Sequence, residues 1–268
     1  MLLRDVEYAR PASVEDAVRL LSEFDGARAL AGGQTLINVM KARAASPDVL
    51  VDLNDLDDLK GIELGSDGTL EIGAMATYTD VMTSAEARAR PILGEVCAQI
   101  ADVQVRNRGT IGGNVCSNDP TNHLPPLLVA VGATMTIVGA GEERSVPADE
   151  FFLGVYMTAA GPGELLTKIS VPPGKSDGFA SVTIGKEGTC IVNAAASLSG
   201  GSPRVAIGCV DAVPVLLQPS SSEASAVREA VRGASLMPPS DVHASADYRR
   251  HLAEVLAARA VTQASGGK

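Results

Sequence analysis

The stretch LAGGQTLINVMK, Leu30 to Lys41, runs from a short apolar segment through a glycine pair into a helical pattern. RALAG reads as the end of a strand. Leu36, Ile37 and Met40 mark one face of a helix. Glycine adopts positive φ freely and lets another group approach the backbone closely. Upstream, VEYARP is extended, and SVEDAVRLLSEF is a helix capped by Ser13, with Ala17, Val18, Leu20 and Leu21 on its apolar face. Downstream, VLVDL, Val49 to Leu53, is the next strand. The sum is a compact βαβαβ unit.

A different texture begins near Leu56. GIELGSDGTLEIG is a hairpin around Ser66-Asp67-Gly68. TYTDVMTSAEARA and PILGEVCAQIA read as helices, the second opening on Pro91. RNRGTIGGN, Arg106 to Asn114, follows with three glycines, and LPPLLVAVG reads as a short apolar helix. From Glu164, LLTKISVP, FASVTIGK, IVNAAASLSG and RVAIGCV are four strand-like runs that predict an antiparallel sheet. SEASAVREAVRG and ADYRRHLAEVLAARAV close the chain as helices. The Pro- and Gly-rich stretch from Gly163 to Lys175 is the expected main boundary. It gives domains 1–165, with lobes of about 1–55 and 56–165, and 166–268.

The 268 residues carry a net charge of -10, so the positive field of a nucleic-acid binder is missing. The N-terminal MLLRDVEYARP has no apolar stretch of signal-peptide length, and no apolar run reaches the ~18 residues of a membrane span. A cytoplasmic protein is the expectation. Cys97, Cys116, Cys190 and Cys209 form no CxxC and no zinc or iron–sulfur spacing. They read as reduced, mostly buried thiols, with Cys116 the best placed for reactivity. Four Tyr, four Phe and no Trp mean that a large planar ligand must pack mostly on aliphatic side chains and backbone.

A glycine pair between strand and helix exposes free backbone N–H groups that attract phosphate. Gly32-Gly33 fits that geometry, with Gln34 and Thr35 as further donors; taken alone, a glycine pair is more often a tight strand–helix turn. GxGxxG and GK[ST] are both absent, which excludes the Rossmann and P-loop fingerprints. In the second motif, Thr110, Gly112, Gly113 and Asn114 offer a hydroxyl, two bare backbone units and an amide. Neutral N–H donors there would hold an acidic ligand with little cationic charge. Arg106 and Arg108 either assist or lie at the surface. Asp119 is either an acceptor for a sugar hydroxyl or an Asp-Pro turn residue. His123 either contacts the ligand or caps the helix after it.

AGGQTL followed by MKAR, and RNRGTIGGN followed by DP and an apolar helix, resemble the FAD-binding subunit of molybdenum hydroxylases. The likeness runs over nearly the whole chain, including ARPASVEDAVRLL and GELLTKISVP. It implies an α+β fold: a two-lobed FAD-binding domain, with a small βαβ lobe and a larger α+β lobe, then a C-terminal antiparallel-sheet-and-helix domain that covers the flavin. It implies that Ala31, Gly32, Gly33, Gln34, Thr35 and Leu36 bind the pyrophosphate region. It further implies that Thr110, Ile111, Gly112, Gly113 and Asn114 form a second FAD loop, with Asp119, His123 and Lys186 near the cofactor. Leu166 falls at an apolar flavin contact and Ile191 at the residue covering the isoalloxazine. Three positions depart from the family pattern: His123 and Cys190 stand where Asp is common, and Lys186-Glu187 where Arg-Arg is usual. These departures bear on the flavin's redox poise and its acceptor more than on FAD binding.

The same resemblance implies an electron-transfer subunit of a heterotrimer. FAD would receive electrons from two [2Fe-2S] clusters on a small subunit, supplied by a molybdenum cofactor on a large subunit, and pass them to an external acceptor. A dimer of heterotrimers is compatible with it. No catalytic residue and no metal site is expected on this chain. Two alternatives remain open at this stage: a self-sufficient FAD-dependent oxidase or dehydrogenase of small molecules, and a non-enzymatic binding protein whose glycine pairs are turns.

Overall fold

The computed structural model describes residues 3–185 and 188–267. The first unit forms as the periodicity dictates: β1 (Glu7–Ala9), α1 (Val14–Glu23), β2 (Ala27–Leu30), α2 (Leu36–Lys41) and β3 (Val49–Asp52). The Ser13 hydroxyl accepts from the Asp16 N–H at 3.2 Å, and α1 turns Ala17 and Val18 inward. β3 lies between β1 and β2, parallel to both, and all four of its residues are buried. That placement explains its unbroken apolar run up to Asp52.

The middle unit opens with the hairpin β4 (Ile62–Leu64) and β5 (Leu70–Gly73), with Leu64 opposite Leu70. TYTDVMTSAEARA is not one helix. A Thr77–Asp80 capping box starts α3 (Tyr78–Thr83), the backbone leaves helical geometry at Ser84, and a 3-10 turn over Glu86–Ala89 follows. Then come α4 (Ile92–Cys97), α5 (Val103–Arg106), α6 (Ile111–Ser117) and α7 (Leu124–Val131). The chain continues with β6 (Thr134–Val138), β7 (Glu143–Pro147), α8 (Ala148–Phe151), β8 (Phe152–Gly154), β9 (Met157–Thr158) and β10 (Leu165–Val171).

β10 pairs with β5 and β6 at the centre of a five-stranded sheet of order β4-β5-β10-β6-β7. The run LLTKISVP therefore completes the middle sheet rather than opening the C-terminal one, and a boundary at 165/166 cuts this strand at its first residue. Alternation identifies a strand but carries no record of its partners.

The last unit is β11 (Asp177–Thr183), β12 (Cys190–Ser197), β13 (Arg204–Gly208), β14 (Val215–Leu217), α9 (Ala224–Gly233) and α10 (Ala246–Ala264). Its four strands lie in chain order, each antiparallel to the next. One face of this sheet packs against α10, which α9 in turn packs against. A Cβ on Gly178 would stand 2.0 Å from the Ala260 carbonyl oxygen, so that packing requires glycine. The other face joins the main core through Ala195 and Ala206. α7, buried along its whole length, is the layer beneath it. Arg204 donates to the Val129 and Ala130 carbonyls at the C-terminal end of α7, where cationic charge is favoured. Among the described residues no helix is long and apolar enough to cross a membrane.

Candidate functional site

The two glycine motifs, far apart in sequence, meet in space. A Cβ on Gly32 would lie 2.0 Å from the Arg108 carbonyl oxygen and 2.9 Å from the Gly109 Cα. One on Gly113 would lie 3.8 Å from the Ala31 Cβ. Backbone packs on backbone at this junction, and only the missing side chain at Gly32 permits it.

In the first motif, Gly33 adopts φ +71°, turning the chain from β2 into α2. The amide N–H groups of Gly32, Gly33, Gln34 and Thr35 donate to no acceptor among the described residues. Gln34 Nε2 donates back to the Gly32 carbonyl at 3.1 Å, and Thr35 stands before Leu36 without a side-chain cap. Asn54 Nδ2 holds the Ala31 carbonyl at 3.1 Å, and its backbone N–H donates to Asp52 at 2.9 Å. Tyr8 donates its hydroxyl to the same carboxylate. Asn54, Asp52 and Tyr8 thus fix the loop, although nothing in their local sequence marks them for that task. A run of unsatisfied N–H groups past a left-handed glycine forms a nest for an anion, and phosphate oxygens suit it.

The second motif is built differently. It is the start of α6 rather than a loop. The Thr110 hydroxyl caps the helix by accepting from the Gly113 N–H at 3.0 Å. The Ile111 N–H goes to the Ala76 carbonyl at 2.9 Å and the Gly112 N–H to the Ala74 carbonyl at 2.8 Å. The Asn114 N–H bonds the Thr110 carbonyl at 3.0 Å. These backbone donors are committed within the fold. Gly112 is glycine because a Cβ would stand 2.6 Å from the Ala74 Cβ. Asn114 keeps one free group: its Nδ2 donates to the Tyr78 hydroxyl at 2.9 Å, while its Oδ1, buried, has no partner. Burial pushes the Tyr78 phenol pKa up, which keeps it neutral.

From α6 a relay of amides reaches the last sheet. Asn122 Nδ2 donates to the Asn114 carbonyl at 3.0 Å, and Asn193 Nδ2 on β12 donates to the Asn122 carbonyl at 3.2 Å. Asp119 closes a turn by accepting from the Thr121 N–H at 2.9 Å, and it also takes the Tyr156 hydroxyl at 3.2 Å. Arg106 donates to the Ile100 carbonyl at 2.9 Å and to that of Ala101. It is thereby tied to the end of α4's turn, while Arg108 contributes its backbone to the junction.

His123 caps nothing: its side chain makes no capping hydrogen bond. It is 7% exposed, its ring centroid lies 5.3 Å from that of Phe179, and its Nε2 has no partner. It borders a cavity of about 230 Å³ with Gln99, Arg106, Ser181 and Thr183. Burial drives its pKa down to about 4. The unfolded chain takes up the proton near the ordinary value of 6.5 while the folded chain resists until about 4. Stability is therefore full above pH 6.5 and falls as pH drops through that window. The total loss is on the order of 3 kcal/mol, at 1.36 kcal/mol per pKa unit. Denaturant melts at pH 7 and pH 4.5 should show this loss, and His123→Gln should remove much of it.

Leu166 and Ile191 do not share a core. Leu166 belongs to the main cluster of the middle unit, and Ile191 to the cluster beneath α10. Lys186 lies outside the described residues. Among the described residues no cluster of His, Cys, Asp and Glu could hold a metal ion.

A two-lobed α+β chain with an amide nest pressed against the turn that leads into α6 carries the phosphate cradle of a nucleotide-binding domain. The comparisons with known proteins agree. The family described as "FAD binding domain in molybdopterin dehydrogenase" matches residues 4–174. The carbon monoxide dehydrogenase medium chain of Afipia carboxidovorans is 38% identical, with 98% of each chain covered. The nicotine 6-hydroxylase medium subunit of Paenarthrobacter nicotinovorans is 32% identical over 98% of this chain and 99% of its own. Among solved structures, a chain of reconstituted CO dehydrogenase from Oligotropha carboxidovorans superposes with TM-score 0.92 at 36% identity, covering 100% of both chains. The chain belongs to the FAD-binding medium subunits of molybdenum hydroxylases and is an oxidoreductase subunit.

The residues present fit FAD. The free amides from Gly32 to Thr35 suit a pyrophosphate, and the orphaned Asn114 Oδ1 offers a buried acceptor.

Proposed function

We propose that the chain is the electron-transfer subunit of a heterotrimeric molybdenum hydroxylase, set between the [2Fe-2S] clusters of a small subunit and an external acceptor. When bound, FAD supplies the one- and two-electron redox chemistry that protein side chains lack. The chain's own residues bind and orient it. The amides of Gly32, Gly33, Gln34 and Thr35 hold the pyrophosphate, with Ala31 and Leu36 flanking them. Thr110, Ile111, Gly112 and Gly113 shape the wall against which that cradle rests. Asn114 Oδ1 accepts from a ligand donor. Asp119 and His123 line the approach to the flavin, and Leu166 and Ile191 exclude water from it.

The observation that carries this reading is the set of free amides from Gly32 to Thr35, pressed against the start of α6. The dehydrogenase and hydroxylase relatives are named as medium subunits, which supports assembly with other chains.

A tagged copy purified from its native host tests the assignment. Metal analysis should find iron and molybdenum in two co-purifying chains. Purification of the tagged chain alone, with substrate-driven bleaching of its own flavin, would favour a self-sufficient oxidase instead.

A further inference from the structure

Two thiols meet at the end of the last sheet where no assigned function needs them. Asn193 Nδ2 donates to Cys190 Sγ at 3.5 Å and to Cys209 Sγ at 3.7 Å, so one amide group holds both thiols. We propose that Cys190 and Cys209 are a dithiol that closes to an intramolecular disulfide under a peroxide oxidant.

The backbone explains how they come together. Asn193 stands opposite Gly208, so a continued ladder would set Cys209 opposite Val192, diagonal to Cys190 on the same face. A register shift where β11 meets β12 and the left-handed Cys209, φ +66°, depart from that ladder at this point. A non-glycine residue in that conformation is strained, and strain of this kind gathers at sites under special constraint. Arg249 adds a cation. It donates to the Ile191 carbonyl and, at 2.6 Å, to Asp241, yet its buried Nε has no partner. Its charge acts on Cys209 in the sense that favours thiolate.

The neighbouring Cys190 thiol, together with burial, still pushes the Cys209 thiol well above its usual range. Cys209 is therefore protonated and slow at neutral pH. Once one sulfur reacts, closure is fast because the same Asn193 amide holds the other beside it. One thiol attacks hydrogen peroxide, the O–O bond breaks, and a sulfenic acid and water form. The second thiol then attacks that sulfur, the S–S bond forms, the S–O bond breaks, and a second water leaves. Two thiols lose two electrons and two protons in all, and the peroxide is reduced to water.

The proposal does not depend on flavin. Purified full-length chain is treated with hydrogen peroxide, denatured in N-ethylmaleimide, digested without reductant and mapped by mass spectrometry. The expected product joins the Cys190 and Cys209 peptides, leaves Cys97 and Cys116 alkylated, and is reversed by dithiothreitol. In Cys190→Ser the linked peptide disappears and Cys209 is trapped as sulfenic acid by dimedone. Recovery of Cys190 and Cys209 both alkylated after oxidation, or joined to Cys97 or Cys116 instead, would overturn the proposal.

Discussion

Arg90→Ala should lower the unfolding temperature by roughly 10 °C, the largest loss expected of any single substitution here. Arg90 and Asp177 have side chains 2% and 3% exposed. The guanidinium holds both carboxylate oxygens at 2.8 Å, donates to Ser197 Oγ at 3.1 Å, and donates to the Pro172 carbonyl. One side chain thus ties the end of the 3-10 turn in the middle unit to β11, β12 and the segment after β10. Removing it strands a carboxylate in a dry interface, which typically costs about 3–5 kcal/mol. Whole-domain stability is only about 5–15 kcal/mol, so the loss is a large share. Replacing both partners, as in Arg90→Met with Asp177→Leu, leaves no unpaired charge and should recover much of the stability. Arg10→Ala is the control, because its pair with Asp55 is exposed on both sides. Equal melting shifts for Arg90→Ala and Arg10→Ala would refute the clamp.

Gly32→Ala is expected to weaken FAD binding by about ten- to a hundredfold, from a strain of about 1–3 kcal/mol at the cradle. The new methyl would sit 2.0 Å from the Arg108 oxygen and 2.7 Å from its carbonyl carbon. Both are backbone atoms, so no flexible side chain can swing aside. Either Gly32 retreats and tilts the nest, or the Arg108–Gly109 turn moves and carries the start of α6 with it. Gly200→Ala serves as the control, since a Cβ there meets nothing within 4 Å. Flavin content and FAD titration, with melting followed in parallel, separate a damaged cradle from a damaged fold. Unchanged affinity in Gly32→Ala would mean that the junction is not part of the binding site.

The sequence makes some of this legible and hides the rest for identifiable reasons. Local pattern carries the βαβαβ unit, because its strands and helices follow one another with short turns and β3 is apolar throughout. It also carries the first glycine pair, where a positive φ at Gly33 and free amides follow from strand, turn and helix in series. The second motif reads as a loop because glycines weaken helix propensity. It is a helix because Thr110 caps it and Ala74 leaves Gly112 no room for a side chain. That reason lies in a tertiary contact which no local window contains. The same holds for Leu165–Val171, a good strand pattern whose partners lie in earlier hairpins. Arg90 looks like an ordinary surface arginine until folding brings Asp177 to it. The Asn114–Asn122–Asn193 relay is equally silent, since asparagine amides bonding distant carbonyls leave no spacing to read.

The most direct test of the account is the amount of flavin held by the purified wild-type chain. Acid release and absorbance should give one FAD per polypeptide, with apoprotein regaining it on titration as flavin fluorescence is quenched. A colourless, folded chain that leaves added FAD fluorescence unchanged would contradict it.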